Sequence, residues 1–261
     1  MSTRIGLVIQ YDGTDFCGWA EQPNQRTVQG TLKTCIESLC GHAIELRGAS
    51  RTDAGAHALG QRADFETSLP MPAKKWALVL SDRLGPEIVV TESFELPPEF
   101  HSRFFARGRT YRYRLTESRH PNPFVARYVH AVGASLNVEA MQNAAEHLKG
   151  RHDFRAFSEQ LPEATNTERR ISSCRVRRGK GEVTVTIRGN AFLRGMVRRI
   201  VGGLVEVGTH RRTEEEFASL LDPERRDSVT WPVVLPAHGL TLMQVHYGKR
   251  YRDLRLEKGN R

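Results

Sequence analysis

The sequence predicts an α+β fold in which helices pack on a largely antiparallel sheet. Short runs rich in Ile, Val and Leu predict strands, and other stretches place apolar residues at helical spacing. Some predicted strands, such as 171–178 and 182–189, follow one another directly like the two arms of a hairpin. Other strands are separated by helices that act as crossovers, and this mixture is typical of α+β proteins.

The first part of the chain begins with a predicted strand at 4–11, where a buried apolar run stops at the turn signal Asp12-Gly13. A helix follows, closed by Gly41. Its apolar face consists of Val28, Leu32, Cys35, Ile36 and Leu39. Further strands are predicted at 43–48, 60–66 and 87–95, with a helix at 73–83.

The pattern starts again after the proline pair Pro97-Pro98, where we place a domain boundary. Strands are predicted at 109–116, 171–178, 182–189 and 240–247, and helices at 138–149 and 191–207. We therefore expect an N-terminal lobe at 1–98 and a C-terminal lobe at 99–247. Residues 248–261 are charged and poor in apolar residues, and we expect them to form a mobile tail.

Arginine dominates the charge of the chain. The sequence has 32 Arg and 7 Lys against 30 acidic residues, a net charge of +9. Residues 101–130 contain seven Arg and one acid, Glu117, and residues 169–212 contain eleven Arg and two acids. Because guanidinium groups match phosphate oxygens, two such blocks favour a nucleic-acid partner over a merely solvated face.

Several classes of protein are excluded by what the sequence lacks. No apolar run approaches the roughly 18–20 residues that span a bilayer, and no signal peptide opens the chain. The four cysteines show no metal-binding spacing and are expected to be reduced, so we expect a soluble cytoplasmic protein. Phosphate-loop, dinucleotide-binding and zinc-protease motifs are absent, which leaves no mark of a cofactor or metal.

The segment 48–58 is the strongest candidate for chemistry. In an extended stretch, Arg51 and Asp53 lie two residues apart and point to the same side, so the guanidinium can keep the carboxylate ionised. Such a carboxylate can act as a nucleophile or general base, and Gly55 permits the sharp turn that exposes it. The alternative is that Asp53 caps its own turn and forms a surface ion pair with Arg51.

Two further segments pair arginine with apolar or aromatic residues. In 106–114, strand alternation places Arg109, Tyr111 and Tyr113 on one face, where a ring beside cations could stack a base or simply pack. In 192–203, Arg194 and Arg198 are spaced by one helical turn and two glycines follow. These arginines could serve an anionic partner or extend over an apolar face.

Six motifs follow one another along the chain: Tyr11-Asp12-Gly13-Thr14-Asp15-Phe16-Cys17-Gly18-Trp19, Arg26-Thr27-Val28-Gln29, Arg51-Thr52-Asp53-Ala54-Gly55, Arg109-Thr110-Tyr111-Arg112-Tyr113, Phe192 to Arg198, and Gly239-Leu240 to Val245-His246-Tyr247. Taken together, in order and spacing, they resemble the TruA family of tRNA pseudouridine synthases over residues 4–248. Departures are small: Ala20, Ser50 and Ala56 replace the family's usual Gln, Gly and Val, and none is a catalytic type.

The resemblance implies a specific activity and fold. The family isomerises uridine to pseudouridine at positions 38–40 of the tRNA anticodon stem-loop, as a homodimer without metal or cofactor. Asp53 matches the catalytic aspartate, Tyr111 the tyrosine that stacks on the flipped uracil, and Arg51 and Arg198 the arginines near the aspartate. A two-lobed pseudouridine-synthase fold with a basic cleft between the lobes is implied as well.

Overall fold

The computed structural model describes residues 2–158, 162, 164–223 and 232–248. These residues form two compact units, one made of 2–109 with 242–248 and the other of 110–241. The boundaries between the units fall inside strands, because each residue groups with the strands that it pairs with, and these can be distant in the sequence. The sequence analysis instead placed one boundary after residue 98. Of the predicted tail, residues 249–261 lie outside the described part of the chain.

The first unit contains an antiparallel sheet and two helices. Strand β1 lies between β4 and β3 and pairs antiparallel with both, and β10 follows β3 in the strand order. The elements are β1 (Thr3–Tyr11), α1 (Val28–Cys40), β2 (Arg47–Gly48), β3 (His57–Thr67), α2 (Lys75–Leu84), β4 (Ile88–Leu96), the start of β5 (Ala106–Thr116) and most of β10 (Leu240–Tyr247).

Helix α1 has the ends that its sequence predicts. The Thr27 side chain accepts a hydrogen bond from the Gly30 backbone N–H at 3.2 Å, which caps the first turn. Gly41 ends the helix with a φ of 72°, a left-handed conformation that glycine adopts without strain. The buried residues Leu32 and Ile36 lie on its core-facing stripe.

The predicted strand at 43–48 is wrong for most of its length, since only Arg47–Gly48 pairs with β3. Helix α1 supplies the reason. The Glu37 carboxylate accepts a hydrogen bond from the Ile44 N–H at 3.0 Å, and the Gln29 amide donates to the Leu46 carbonyl at 2.7 Å. These side chains satisfy backbone groups that a strand would otherwise pair, while Ile44 and Leu46 remain buried.

The second unit contains a sheet in the order β5-β9-β8-β7 with helices packed beside it. Strands β7, β8 and β9 pair antiparallel, whereas β6 pairs parallel to β5. The elements are the rest of β5, β6 (His130–Ala131), α3 (Val138–Glu146), β7 (Gly150–Asp153), β8 (Glu168–Arg178), β9 (Val183–Gly189), α4 (Met196–Gly208), α5 (Glu214–Ser219) and the start of β10.

The sequence underestimated or misplaced some of these elements. Helix α4 begins at Met196, five residues later than predicted, because Gly195 has a φ of 69° and cannot belong to a right-handed helix. Helix α3 ends at Glu146, before the predicted residue 149. The short strands β6 and β7 and helix α5 were not predicted, since each is too short to show a period.

Each unit has its own apolar core. In the first, the rings of Phe65 and Trp76 meet edge to face at 4.9 Å between centroids. In the second, Phe154, Phe157 and Phe217 form a chain of ring contacts at 5.9 and 5.6 Å. Helices packed on mainly antiparallel strands confirm the predicted α+β class. Within the described ranges, no helix is long and apolar enough to cross a membrane.

Candidate active site

Asp53 lies in the loop between β2 and β3, which we call the aspartate loop (residues 49–56). Its side chain is half-buried, whereas Arg51 is exposed and Thr52 is buried. Gly55 has a φ of 79°, and the Ala56 N–H donates to the Asp53 carbonyl at 3.1 Å. The loop therefore makes the sharp turn that the glycine predicts, with Asp53 at the first of its four positions and Ala54-Gly55 at its centre.

Residues 11–19, which form the first motif, hold the aspartate loop through backbone hydrogen bonds. The Trp19 N–H donates to the Thr52 carbonyl at 3.1 Å, and the Gly55 N–H donates to the Phe16 carbonyl at 3.2 Å. These two bonds lie on either side of Asp53 in the sequence. The backbone on both sides of Asp53 is thus held in place by the first motif.

Two glycines of the same motif allow this close approach. A Cβ atom on Gly18 would lie 2.7 Å from the Thr52 carbonyl oxygen, and one on Gly13 would lie 1.9 Å from that of Ala56. Gly18 also has a φ of 85°. Any larger residue at either position would push the aspartate loop away.

Side chains beneath the loop complete its support. The hydroxyls of Tyr11 and Thr52 share a buried hydrogen bond of 2.8 Å. The Gln61 side chain, fully buried, accepts from the Ser50 N–H at 3.2 Å and donates to the Ser50 carbonyl at 2.6 Å. Sequence reasoning missed Gln61, although strand alternation places this polar residue on the same face as Ala63 and Phe65, which was a signal for it.

Arg109 contributes to this loop from β5. Its Nη2 atom donates to the Ala49 carbonyl at 2.8 Å, so the guanidinium holds the beginning of the aspartate loop. The sequence placed Arg109 on the same strand face as Tyr111, as a cation beside a stacking ring. The structure gives it a supporting contact within the first unit instead.

Tyr111 and Tyr113 lie on the part of β5 that belongs to the second unit. Both rings are buried, with exposures of 5% and 0%, and they alternate with the exposed Arg112 as predicted. The ring of Tyr111 meets that of Phe192 edge to face at 5.2 Å. Phe192 thus fixes the orientation of the Tyr111 ring.

The Tyr113 hydroxyl donates to the Pro236 carbonyl at 2.6 Å. Burial raises the pKa of Tyr113 well above its usual value, and the nearby charge of Arg198 opposes that shift only in part. Tyr113 therefore remains a neutral hydrogen-bond donor at physiological pH. This tyrosine has a packing role, which was the alternative that the sequence left open.

Arg198 lies in the first turn of α4. Its Nε atom donates to the Leu235 carbonyl at 2.6 Å, and Arg199 donates to the Pro232 carbonyl at 2.9 Å. Arg194 precedes the helix, so the predicted stacking of Arg194 and Arg198 on one helical face is wrong. The reason is the left-handed Gly195 between them.

The two glycines inside α4 serve packing within the chain. A Cβ atom on Gly202 would lie 2.1 Å from the Val233 carbonyl oxygen, and one on Gly203 would lie 2.7 Å from the Phe217 ring. They therefore allow close approach of protein segments. Sequence reasoning attributed these glycines to close approach, and the structure confirms it, with segments of the same chain as the partners.

The few acids inside the two basic blocks are paired with arginine. Glu117 pairs with Arg178, Glu182 with Arg114 at 2.6 Å, and Glu206 with Arg211 at 2.9 Å. Other arginines of the blocks are exposed, namely Arg103, Arg107, Arg112, Arg119, Arg170, Arg175, Arg177 and Arg188. These exposed guanidinium groups are available for phosphate contacts.

The candidate residues thus fall into two groups. Arg51 and Asp53 share the aspartate loop of the first unit, and Tyr111 and Arg198 belong to the second unit. Among the residues that the structure describes, no group of three His, Cys, Asp or Glu side chains could hold a metal ion. The first unit therefore offers a carboxylate with Arg51 and backbone amides, and the second unit offers an aromatic ring and an arginine.

Comparison with known proteins places the chain in a family. A family profile described as tRNA pseudouridine synthase matches residues 7–104 and 144–248. A solved structure, a crystal structure of a Cbf5-Nop10-Gar1 complex, matches 77% of this chain and 54% of that chain. Its TM-score of 0.32 and 10% identity are too low to support an argument.

Two curated relatives are similar over nearly their whole length. The tRNA pseudouridine synthase A of Halalkalibacterium halodurans is 41% identical over 91% of this chain and 90% of its own. The tRNA pseudouridine synthase A of Acetivibrio thermocellus is 38% identical over 94% and 99%, respectively. The chain that builds the aspartate loop therefore belongs to the tRNA pseudouridine synthase family.

Proposed function

We propose that this protein isomerises uridine to pseudouridine at positions 38–40 of the tRNA anticodon stem-loop. The observation that carries the proposal is Asp53, a half-buried residue at the start of a tight turn, in a loop fixed on both sides by backbone hydrogen bonds. Membership of the tRNA pseudouridine synthase family supports the reaction and the substrate class. The positions 38–40 rest on the motif resemblance.

The reaction makes modest demands on the protein. The bond between N1 of uracil and C1′ of ribose breaks, the ring rotates, and C5 bonds to C1′. The proton lost from C5 is balanced by the proton that N1 gains, with no redox change and no water added. A fixed carboxylate can perform this chemistry either by attack at the sugar or base or by stabilising a sugar cation.

The proposed roles of the site residues come from the motif resemblance, and their surroundings support them. Asp53 is the catalytic carboxylate, and Arg51, exposed on the same loop, interacts with the RNA or the carboxylate. By the same resemblance, Arg198 is the second arginine assigned to the aspartate. Its Nε atom is committed to the Leu235 carbonyl, which holds the guanidinium in one orientation.

Tyr111 is the proposed stacking partner of the target uracil. The target atoms are inaccessible within a base stack, so the nucleotide must flip out and lose its stacking neighbours. An aromatic ring that replaces them contributes about 1–3 kcal/mol per base. Because Phe192 fixes the Tyr111 ring, little conformational entropy is lost when the base binds.

The assembly and location of the protein are part of the same proposal. We expect a cytoplasmic homodimer that uses exposed arginines to bind the tRNA backbone. A plot of log affinity for tRNA against log salt should then be a straight line, with a negative slope of about 0.7–0.9 for each phosphate neutralised. A flat response would show that the arginines serve another purpose.

The decisive experiment uses tRNA labelled with tritium at C5 of uridine. Isomerisation exchanges the C5 proton, so one tritium is released for each uridine converted, and sequencing locates the modified positions. Binding without tritium release would indicate a non-catalytic RNA-binding protein. Free uracil or broken strands would indicate a glycosylase or hydrolase. Release at positions outside 38–40 would contradict the assigned specificity alone.

A further inference from the structure

The segment between β4 and β5 presents an exposed aromatic ring in the first unit. Phe104 is 71% exposed, and its ring lies 4.2 Å from that of His101 between centroids, tilted by 42°. The Phe105 N–H donates to the His101 carbonyl at 3.1 Å, and the Arg103 N–H donates to His101 Nδ1 at 3.1 Å. We call this compact turn the His101–Phe104 platform (residues 101–104).

The platform is anchored to the buried carboxylate of Asp64. The Ser102 N–H donates to Asp64 Oδ1 at 2.8 Å, and Arg47 donates both to Asp64 and to the Phe100 carbonyl. The Tyr247 hydroxyl donates to the Ser102 carbonyl at 2.9 Å. An exposed ring on so fixed a backbone is pre-organised, because binding does not have to order a mobile loop.

The charge around the platform favours nucleic acid over an apolar protein surface. Arg103 and Arg107 are both exposed, and no acidic residue lies between Glu99 and Glu117 in the sequence. An aromatic face beside guanidinium groups is the combination that binds unpaired nucleotides, since the ring stacks a base and the cations neutralise phosphate.

Arg109 connects the platform to the aspartate loop. The same Nη2 atom that donates to the Ala49 carbonyl at 2.8 Å also approaches the Arg103 carbonyl at 3.4 Å. The backbone of the platform and the beginning of the aspartate loop are therefore neighbours within the first unit. A nucleotide held by the platform would lie close to the loop that carries Asp53.

We propose that the His101–Phe104 platform stacks an unpaired base of the tRNA substrate, next to the nucleotide that reacts, with Arg103 and Arg107 contacting its phosphates. The inference rests on the proposed function for the identity of the RNA. It assigns Phe104 a role in binding and none in bond breaking. The platform thus adds a substrate-binding site to those that the motifs indicate.

The test compares Phe104→Ala with two other substitutions at the same position. The dissociation constant for an anticodon stem-loop RNA should rise about 5- to 100-fold in the alanine variant, the loss expected for one stacked base. The KM should rise by a similar factor, while kcat should stay within about twofold of the parent value. Phe104→Trp should bind within about threefold of the parent, and Phe104→Leu should be as weak as the alanine variant, because leucine has no π face.

Leu78→Ala is the matched control. Leu78 is 66% exposed on α2 of the same unit, so the variant removes a comparable apolar surface away from the platform. Its RNA affinity should be unchanged. Thermal melts of Phe104→Ala should match the parent, since the removed ring is mostly solvent-exposed.

Three results would contradict the proposed role of the platform. They are unchanged RNA affinity of the Phe104→Ala variant, full RNA affinity of the Phe104→Leu variant, and a changed mass of the Phe104→Ala variant by light scattering without any change in its RNA affinity. The last outcome would show that Phe104 lies between copies of this chain. If the parent releases no tritium but Phe104→Ala binds RNA weakly, the proposed function fails and the platform stands. If the parent turns over and Phe104→Ala is indistinguishable from it, the reverse holds.

Discussion

Two aspartates of the first unit, Asp53 and Asp64, lie at opposite ends of a short stretch of chain and have opposite surroundings. Asp64 is fully buried on β3 and binds Arg4 at 2.9 Å, Arg47 and the Ser102 N–H. Burial raises its pKa, and the hydrogen bonds from Ser102 and the charge of Arg4 oppose that shift. Asp53 is half-buried, and its loop is fixed by backbone hydrogen bonds with residues 11–19 and by the side chains of Gln61 and Arg109.

The comparison separates a structural carboxylate from the one that we propose to react. The oxygens of Asp64 are committed to protein donors, so the side chain joins β1, β2 and the segment before β5 and is closed to a substrate. Around Asp53 the backbone is fixed on both sides, and the residue is half-buried. Dense ion pairing alone would have selected Asp64 over the aspartate that the motif resemblance indicates.

The largest predicted effect separates the two residues directly. Asp53→Asn should lower kcat by at least about 10³-fold, while the free energy of unfolding changes by less than about 1 kcal/mol. Asp64→Asn places an amide against two guanidinium groups and should lower the free energy of unfolding by about 3–5 kcal/mol. Tritium release and urea titration measure the two quantities.

The comparison fails if either variant behaves like the other. Turnover retained by Asp53→Asn would remove Asp53 from the chemistry. A fully stable Asp64→Asn variant would show that the buried cluster contributes little to the fold.

A second, smaller effect concerns the glycine under the aspartate loop. Gly18→Ala introduces a Cβ atom 2.7 Å from the Thr52 carbonyl at a φ of 85°, and should lower kcat about 10- to 100-fold by displacing Asp53. Gly41→Ala is the control, because Gly41 has a φ of 72° but no atom lies within 4 Å of the position that a Cβ atom would occupy. It should cost about 1 kcal/mol of stability and leave kcat unchanged. Equal kinetic losses in both variants would indicate general strain.

The smallest predicted effect concerns the hydrogen bond between Tyr11 and Thr52. Thr52→Val replaces the hydroxyl by a methyl group and should cost about 0.5–1.5 kcal/mol of stability, with a loss of a few-fold in kcat. Tyr11→Phe removes the other partner. A double-mutant cycle should give a coupling of about 1 kcal/mol, and a coupling near zero would mean that this bond does not support the loop.

The sequence predicted features that depend on local chemistry. Gly41 ends α1 and Gly55 turns the aspartate loop. Both were predictable because the ability to adopt a positive φ without strain is a property of glycine itself. The alternation of buried Tyr111 and exposed Arg112 along β5 follows from the two-residue period of a strand. Local reasoning and the resemblance singled out Asp53 and Arg51, and their catalytic role stays a prediction.

Features that depend on distant partners could not be predicted. Residues 43–46 have strand-like composition, but side chains of α1 satisfy their backbone groups. The role of Asp64 requires Arg4, Arg47 and Ser102, which are separated along the chain and meet only in the folded unit. The support of Ser50 by Gln61 likewise depends on the pairing of a loop with a later strand.

Strand β10 completes the first unit but is synthesised after the second unit, and this order affects how the protein folds. Residues 242–248 belong to that unit, and the Met243 carbonyl approaches so closely that a Cβ atom on Gly60 would lie 2.4 Å from it. On the ribosome these residues appear after all of the second unit, at about 5–20 residues per second. The second unit can therefore fold first, and the strand that follows Asp53 gains its neighbour β10 only after the second unit has been synthesised.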